Sequence, residues 1–433
     1  MKNQPKVVNA WCMYDWANSV YSLVITSAIF PVYYQAVAQG PDGSDVISFF
    51  GIEVVNSVLY SYALSFSFLV TALFLPILSG IADYSGKKKL FLKFFVIMGS
   101  IACVGMYFFD STNVEWGIIC SVIASIGYSS GLVFYDAFLP EIVDKENFDK
   151  TSARGYSFGY VGSVILLVIN IVMIEMYDTL GFADQGAATR FSFLLVGLWW
   201  FGFAQITFYM VPESAKDIRE AKNLLTNGYL ELRKVWLSLK SSPNIKMYLF
   251  AFFFYNMGVQ TVMYLAATFG AKELRLDSSK LIITVLLIQL VAIVGAYFFA
   301  RVSELKGNIF SLIVMNVIWV GICLNAFLVT KEFEFYLLAT VVGFVMGGIQ
   351  SLSRATYAKL IPQATSDHAS YFSFYDVTFN LSIVFGTFSY GLIEQLTGSM
   401  RNSTIALAVF FVIGIVFLTT VKINKRSIHE SAA

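Results

Sequence analysis

Residues 80–89 read Gly-Ile-Ala-Asp-Tyr-Ser-Gly-Lys-Lys-Lys and lie between two long apolar stretches. The bilayer core is about 30 Å thick and a helix rises about 1.5 Å per residue, so roughly 20 apolar residues span it. Stretches of this length occur twelve times, near residues 8–34, 58–81, 90–109, 116–138, 155–177, 189–211, 247–269, 281–302, 309–330, 335–355, 372–396 and 403–421. The sequence therefore predicts an all-α polytopic membrane protein with twelve transmembrane helices.

The composition supports this class and argues against several others. Hydrophobic residues make up 57% of the 433 residues, charged residues make up 13%, and the mean hydropathy is +0.69. A net charge of +1 predicts no nucleic-acid partner. The sequence contains neither the HExxH motif of zinc enzymes nor a GxxxxGK[ST] phosphate loop. We therefore expect no enzyme activity, no cofactor and no metal.

The basic residues are distributed unevenly between the two sides of the predicted membrane. With the N-terminus inside, 23 of the 29 Lys and Arg fall in segments on the cytoplasmic side. The positive-inside rule then places both termini in the cytoplasm, and an even number of spans requires the termini to share a side. We expect a multi-pass protein of the inner, cytoplasmic membrane.

The longest polar stretch, 212–246, divides the spans into two sets of six. It predicts an N-terminal six-helix bundle over 1–211 and a C-terminal six-helix bundle over 247–433, joined by a cytoplasmic linker. An amphipathic helix at the membrane surface fits the linker, and a simple tether between the halves fits it equally well. The apolar residues at helical spacing in the linker are Ile218, Ala221, Leu225, Leu232, Trp236 and Leu239.

Short motifs recur in the two halves at a nearly constant offset. Asp-Tyr-Ser-Gly at 83–86 matches Glu-Leu-Lys-Gly at 304–307, and Phe-Leu-Pro at 138–140 matches Leu-Ile-Pro at 360–362. A parallel repeat of six spans is typical of the major facilitator architecture, in which two bundles enclose a central cavity.

The stretch 80–89 resembles the latch motif of major facilitator transporters, which implies a role in closing the inner gate. Its glycines permit a tight turn and close helix approach, and its carboxylate suits a helix N-terminus. The alternative is a turn whose lysines only hold it in the cytoplasm. In many major facilitator transporters the latch aspartate also contacts an arginine in helix 4. Helix 4 of this chain has no arginine, and Arg154 is the nearest substitute. In the second half of the chain, Arg354 is a candidate partner for Glu304. The gating candidates are Gly80, Asp83, Gly86, Arg154, Glu304 and Arg354.

A polar stripe follows the first predicted span. Asp15, Asn18, Ser22 and Thr26 are spaced by three, four and four residues, so they share one helix face. An ionisable group inside a span is costly and by default indicates a functional site that faces a cavity. The alternative is a carboxylate at the membrane interface, flanked by aromatic residues such as Tyr14.

The motif around this stripe carries a more specific resemblance. Tyr-Asp-Trp-Ala-Asn-Ser at 14–19 resembles the signature of the vacuole-effluxer-like, autophagy-associated branch of the major facilitator superfamily, as does Asp-Ala-Phe-Leu-Pro-Glu-Ile at 136–142. The resemblance implies amino-acid efflux. The chain departs from the family in helix 7, where Met257 occupies the position of a usual aspartate. Asn256 and Gln260 remain there as a neutral polar pair.

The sequence thus predicts a secondary transporter that moves a small polar solute by alternating access, with amino acids as the candidate class. A proton is the candidate coupling ion, the bilayer is the other partner, and a monomer is expected. The alternatives are a transporter-like membrane sensor and a lipid-moving protein, which solute flux and lipid scrambling would distinguish. The substrate and coupling candidates are Tyr14, Asp15, Asn18, Ser22, Asn256, Gln260 and Gln350.

Overall fold

The computed structural model describes residues 2–40, 43–213, 224–363, 365–397 and 399–422. The contacts divide the chain into two compact units. The first consists of Met1–Ile142 and Gly155–Tyr229, and the second of Val143–Arg154 and Leu230–Ala433. The short segment 143–154 therefore groups with the second unit, although it precedes the linker. The domain limits at 211 and 247 stay a prediction.

Helices account for most of the first unit, since a chain in lipid has to satisfy its backbone polar groups internally. Short 3-10 turns occupy Met106–Phe108 and Lys145–Asn147. The α-helices from the start of the chain to the linker are α1 (Pro5–Val20), α2 (Phe30–Val37), α3 (Asn56–Ser85), α4 (Lys88–Gly105), α5 (Val114–Asp136), α6 (Leu139–Ile142), α7 (Phe148–Glu175) and α8 (Gln185–Met210).

The first predicted span, 8–34, is a broken helix. α1 continues into a π-helix over Tyr21–Ala28, and α2 then runs at an angle of 41° to this combined segment. Pro31 lies in the first turn of α2 and has no N–H to donate to the preceding turn, which favours a break at this point. π-Helical segments are rare and are frequently found at functional sites.

The prediction of an all-α fold is wrong at one place, between α2 and α3. Strands β1 (Val46–Phe49) and β2 (Ile52–Val55) form an antiparallel hairpin in which Phe49 pairs with Ile52. Phe50 and Gly51 connect them with φ angles of +49° and +83°, as in the two-residue hairpin turns that require positive φ at both positions. Five of the eight strand residues are Val or Ile, a short-range strand signal that the surrounding long apolar stretches obscure.

The second unit is also helical. The linker helix α9 (Leu224–Ser241) begins in the first unit and continues into the second from Leu230. It buries Val235 and Leu239 and exposes Leu225 and Trp236. The first two apolar positions of the predicted amphipathic pattern, Ile218 and Ala221, lie outside the described residues. The remaining helices are α10 (Pro243–Leu274), α11 (Ser278–Lys306), α12 (Asn308–Leu328), α13 (Glu332–Leu360), α14 (His368–Thr397) and α15 (Met400–Thr420).

Within the described residues, ten helices are long and apolar enough to cross a membrane, or eleven if the bent pair at the N-terminus is one span. This finding confirms a polytopic membrane protein and leaves one predicted span uncounted. The uncounted helix is α14, which has 30 residues but carries Asp376, Asn380 and Ser382 along its length. All three are buried, and α14, unlike α13 and α15, is not apolar enough to be counted as a candidate span.

Close helix packing in the second unit depends on glycine. A Cβ atom on Gly347 of α13 would collide with the carbonyl oxygen of Ala292, and one on Gly295 of α11 would collide with that of Phe344. α11 and α13 therefore approach backbone to backbone, as small residues permit between helices in lipid. Large side chains such as Phe66 and Leu73 of α3 instead remain exposed on the outer surface of the first unit.

Candidate functional site

The first candidate site is built around Asp15 on α1. Its carboxylate is 4% exposed, and its Oδ2 accepts a hydrogen bond of 2.7 Å from the hydroxyl of Tyr135 on α5. The ring of Tyr135 stacks on Trp11 at 4.4 Å and on Tyr14 at 4.5 Å between ring centroids. Trp11 also donates its indole N–H to the backbone carbonyl of Tyr135 at 3.0 Å. The carboxylate is thus fixed within a buried aromatic cluster.

Two buried polar groups beside this carboxylate lack hydrogen-bond partners. Within the described residues, the Tyr14 hydroxyl and the Asn18 side-chain nitrogen bond to nothing, although both residues are at most 1% exposed. Gly131 on α5 provides the space for the Tyr14 hydroxyl, which a Cβ atom there would fill. An unsatisfied buried polar group costs about 1–3 kcal/mol. The arrangement suits a ligand or water that supplies the missing bonds.

The π-helix changes the predicted polar stripe beyond Asn18. Ser22 donates to the carbonyl of Ser19 at 3.0 Å, and Ser27 donates to the carbonyl of Ser22 at 2.9 Å. The predicted stripe assumes a spacing of four residues, from Ser22 to Thr26. In a π-helix the hydrogen bonds join residues five apart, so Ser27 also lies one turn from Ser22. Ser22 and Thr26 are half-buried, and Ser27 is exposed.

A second site lies at the end of α3, where the latch motif was predicted. Asp83 and Lys88 are both fully buried and form an ion pair of 3.4 Å, and Lys88 also forms a short ion pair with Glu141 of α6. Lys88 is thus a buried cation between two carboxylates, and the cytoplasmic location of the three lysines stays a prediction. Nothing in a run of three lysines indicates which one turns inward.

The two glycines of the latch motif have different structural roles. Gly86 ends α3 with a φ of +69°, a left-handed conformation that glycine adopts without strain. Gly80 allows the backbone of α9 to approach, since a Cβ atom on Gly80 would collide with the carbonyl oxygen of Gly228.

The predicted pairing of Arg354 with Glu304 is not formed. Glu304 pairs with Arg301, one turn earlier on α11, at 2.7 Å. Arg354 is 1% exposed, and its guanidinium donates to the hydroxyl of Ser152 at 2.9 Å and to the carbonyl of the same residue at 3.1 Å. Glu304 lies on an exposed face where a neighbouring arginine is in reach. Arg154 is half-buried at the start of α7.

The second unit contains a buried ion cluster that the sequence analysis missed. Asp149 is 2% exposed and pairs with Lys359 at 2.6 Å. It also accepts hydrogen bonds of 2.7 Å from Ser303 and from Asn308, whose side-chain oxygen accepts from Lys359 at 2.9 Å. Like the Asp83–Lys88 pair, it joins an acid and a lysine at helix ends. The sequence gives no local signal for this pair, because its two residues are 210 positions apart.

The candidates on α10 form a neutral hydrogen-bonded chain. The Gln260 side chain donates to the side-chain oxygen of Asn256 at 3.3 Å, and Asn256 donates to the hydroxyl of Ser382 on α14 at 2.6 Å. Met257, where the family has a carboxylate, is buried. Gln350 on α13 is half-buried. Over the part of the chain that the structure describes, no group of three or more His, Cys, Asp or Glu is placed to hold a metal ion.

Comparison with known proteins identifies the family. The family model described as "Vacuole effluxer Atg22 like" matches residues 3–431. The chain belongs to this family. The resemblance inferred from residues 14–19 is thereby confirmed.

Two relatives show the breadth of the vacuole effluxer family. The "Uncharacterized MFS-type transporter YxiO" of Bacillus subtilis is 31% identical over 424 residues, which cover 97% of this chain and 96% of that protein. Autophagy-related protein 22-1 of Penicillium rubens is 23% identical over 485 residues, which cover 91% of this chain and 80% of that protein.

Solved structures show the same fold as this member of the vacuole effluxer family. The proton:xylose symporter XylE has a TM-score of 0.73 at 13% identity, over 96% of this chain and 95% of that one. The E. coli fucose:proton symporter has a TM-score of 0.69 at 12% identity, over 96% and 98%. The fold is therefore that of the major facilitator superfamily.

Proposed function

We propose that this protein is a secondary transporter that moves a small polar solute across the membrane by alternating access. The observation that carries the proposal is the Asp15 carboxylate, buried in a bundle of a transporter family and hydrogen-bonded to Tyr135 at 2.7 Å. The unpartnered Tyr14 hydroxyl and Asn18 amide beside it would complete their hydrogen bonds on a bound solute or water. In lipid, ionisable groups of this kind mark solute and ion pathways.

The proposed topology has twelve spans with both termini in the cytoplasm and the protein in the inner membrane. It counts α1, the π-segment and α2 as one broken span and adds α14. The uneven distribution of Lys and Arg supports this orientation. A discontinuous first helix suits a transporter, since broken helices line the binding sites of many transporter folds.

Amino acids are the proposed substrate class and efflux is the proposed direction. The family description names an effluxer. The Asp15 carboxylate matches the ammonium group of an amino acid, and the donors of Tyr14 and Asn18 beside it match the carboxylate of an amino acid. Asn256, Gln260 and Gln350 are the proposed neutral contacts in the second unit, and Ser22 is the proposed extension of the site in the first. A proton remains the proposed coupling ion, carried by Asp15.

Gating is the proposed role of the two buried ion clusters. One consists of Asp83, Lys88 and Glu141, and the other of Asp149 and Lys359, next to Arg354 and Ser152. Both concentrate paired charges at helix ends that the proposed topology places on the cytoplasmic side. Breaking a buried pair costs about 3–5 kcal/mol, enough to hold one conformation of a two-state transporter. Gly80, Gly86, Arg154 and Glu304 remain gating candidates.

Purified protein tests this function in two steps. Thermal shift against amino acids, sugars and short peptides identifies a ligand, and counterflow of that ligand in proteoliposomes measures transport. We expect an amino acid to raise the melting temperature and to exchange across the membrane. Proteoliposomes that carry out no solute exchange but scramble labelled lipid would replace this proposal with the lipid-moving alternative.

A further inference from the structure

A groove in the second unit opens between α12 and α13, at the end where residues 329–331 join the two helices. Its volume is about 590 Å³, within the roughly 300–1,000 Å³ of sites that bind small molecules. The groove lies apart from Asn256, Gln260 and the buried ion clusters, so none of the roles proposed above uses it.

The α12 wall changes from polar to apolar along the helix. Asn325, Gly321 and Ile318 are spaced by four and three residues, so they follow one face of α12. Asn325 is exposed near the helix end. Gly321 keeps the groove open, since a Cβ atom there would meet nothing within 4 Å.

The α13 wall shows the same order. Glu334 lies in the first turn, and Leu337 and Val341 follow at spacings of three and four residues. Leu337 is 59% exposed, although it is a large apolar side chain. Both walls thus present polar groups at the joined end and apolar surface deeper in, which is the order of a phospholipid headgroup and its acyl chains.

The polar end of the groove offers hydrogen-bond acceptors. Glu334 accepts the backbone N–H groups of Thr330 and Lys331 at 3.1 and 3.2 Å, both on Oε2. Asn325 donates its side-chain N–H to the carbonyl of Gly321 at 2.8 Å. Among the described residues, nothing donates to Glu334 Oε1 or to Asn325 Oδ1. A carboxylate oxygen and an amide oxygen at one end fit a cation with several N–H donors.

We propose that this groove binds phosphatidylethanolamine, with the ammonium group on Glu334 and Asn325 and an acyl chain along Gly321 and Leu337. Phosphatidylcholine has the positive charge without N–H donors, and phosphatidylglycerol has neither. Under the proposed topology the polar end of the groove lies at the outer leaflet; lipid binding itself does not rest on that topology.

Lipid retention tests the headgroup preference. The protein is purified from an equimolar mixture of the three phospholipids, and the lipid that remains bound is quantified by mass spectrometry. We expect phosphatidylethanolamine to be enriched and Glu334→Gln to lower that enrichment about tenfold, since a charge-assisted hydrogen bond is lost. The glutamine retains an oxygen for the backbone N–H groups, so the helix end stays capped.

Glu332→Gln is the matched control, because it removes the same charge two residues away. The Glu332 carboxylate pairs with Lys280 at 2.6 Å and does not line the groove. The enrichment of phosphatidylethanolamine on Glu332→Gln should therefore equal that on the wild type. Equal retention of the three lipids by the wild type, or unchanged enrichment in Glu334→Gln, would overturn the proposal.

A second pair of variants locates the acyl chain. Gly321→Leu places its Cβ atom in open space in the groove and should lower retained phosphatidylethanolamine several-fold. Gly391→Leu on α14 also places its side chain in open space and should retain lipid like the wild type. Equal lipid loss in both glycine variants would mean that the groove is not the site. The readout is bound lipid and not solute flux, so failure of the proposed transport would not affect the result.

Discussion

At the scale of single residues, the proposed substrate contacts around Asp15 in the first unit and around Asn256 in the second unit differ in charge. The first unit holds a buried carboxylate, Asp15, whereas the second holds the amides Asn256 and Gln260 with Met257 between them. A neutral amide chain can orient a solute through hydrogen bonds, but it cannot exchange a proton near neutral pH. If transport is coupled to protons, we therefore expect Asp15 rather than this amide chain to carry the coupling.

Replacing Asp15 with asparagine separates its two possible roles once a substrate is identified. If the carboxylate carries the proton, Asp15→Asn should abolish accumulation driven by a pH gradient and keep counterflow. If it binds the substrate, both activities should fall about 10- to 100-fold, as expected for the loss of a charge-assisted contact. Both rates are measured in proteoliposomes.

Tyr135→Phe is the companion variant, since it removes only the hydroxyl that donates to Asp15 and keeps the ring that stacks on Trp11 and Tyr14. Its effect should be in the same direction and smaller. Wild-type rates for Asp15→Asn in both assays would assign the residue to the aromatic interface and refute its role in coupling.

The buried lysine of the latch motif gives a stability prediction. Lys88→Met leaves Asp83 and Glu141 without their shared cation, so we expect a loss of about 3–5 kcal/mol in the free energy of unfolding. Lys87→Met removes the same charge from an exposed neighbour and should change stability by less than about 0.5 kcal/mol. Urea unfolding in detergent compares them. Equal destabilisation by the two variants would contradict the inward position of Lys88.

At the scale of helices, the sequence predicts where spans lie but not how each one is shaped. Apolar length alone locates α3, α8 and α12, because the bilayer imposes that length on any spanning helix. The π-segment of α1 and the β-hairpin at 46–55 arise from local backbone conformations that hydrophobicity does not report. The burial of Lys88 and the Asp149–Lys359 pair depend on residues more than 50 positions apart. No local pattern encodes such contacts.

The linker helix α9 is attached to the second unit by polar and aromatic contacts. Lys234 pairs with the buried carboxylate of Asp367 at 2.7 Å, Ser238 accepts from the Tyr371 hydroxyl at 2.8 Å, and Trp236 lies 5.7 Å from the ring of Phe374. The hydrogen bond to Asp367 raises the pKa of Lys234 above its ordinary value. A raised lysine pKa means that the contribution of this pair is complete at neutral pH and is lost only as the pH rises through the shifted value.

Hydrogen exchange of α9 tests this pairing. We expect backbone protection over 230–241 in the wild type to stay constant from pH 6 to pH 9 after correction for intrinsic exchange. Lys234→Met should lower protection at pH 7 by a few-fold at most, since exposed pairs contribute about 0.2–1 kcal/mol. Lys240→Met is the control, because Lys240 lies on the same helix and forms no ion pair with any residue that the structure describes. Loss of wild-type protection between pH 6 and pH 8 would exclude the lysine as its source.

At the scale of the whole molecule, the family and the fold agree with the prediction from sequence, and the number of spans depends on α14. Its length suffices for a span, and its polar residues are buried inside the second unit, where Asn380 donates to Asp376 at 2.7 Å. A helix in a membrane bundle can carry such residues when they face other helices. The polar residues of α14 are therefore compatible with a buried span, and a total of twelve spans stays a prediction.

Cysteine labelling tests whether α14 crosses the membrane, because the native cysteines should not react with the label. All four native cysteines, Cys12, Cys103, Cys120 and Cys323, are buried, so a membrane-impermeant maleimide should react only with introduced thiols. Gln363 and Thr397 are exposed and lie on either side of α14. If α14 crosses the membrane, Gln363→Cys should be labelled from the cytoplasmic side in inverted vesicles, and Thr397→Cys from the outer side in intact cells.

Reference positions fix the orientation of the other spans in the same experiment. Ser48→Cys in the β-hairpin should be labelled from outside and Ser241→Cys at the end of α9 from inside, since both are exposed. Ser214 and Ser427, two further positions where an introduced cysteine should be labelled only from the cytoplasm, lie outside the described residues. Labelling of Gln363→Cys and Thr397→Cys from one and the same side would make α14 a re-entrant or surface helix. The number of spans would then be odd, and the two termini would lie on opposite sides of the membrane, so the positive-inside assignment would hold for only part of the chain.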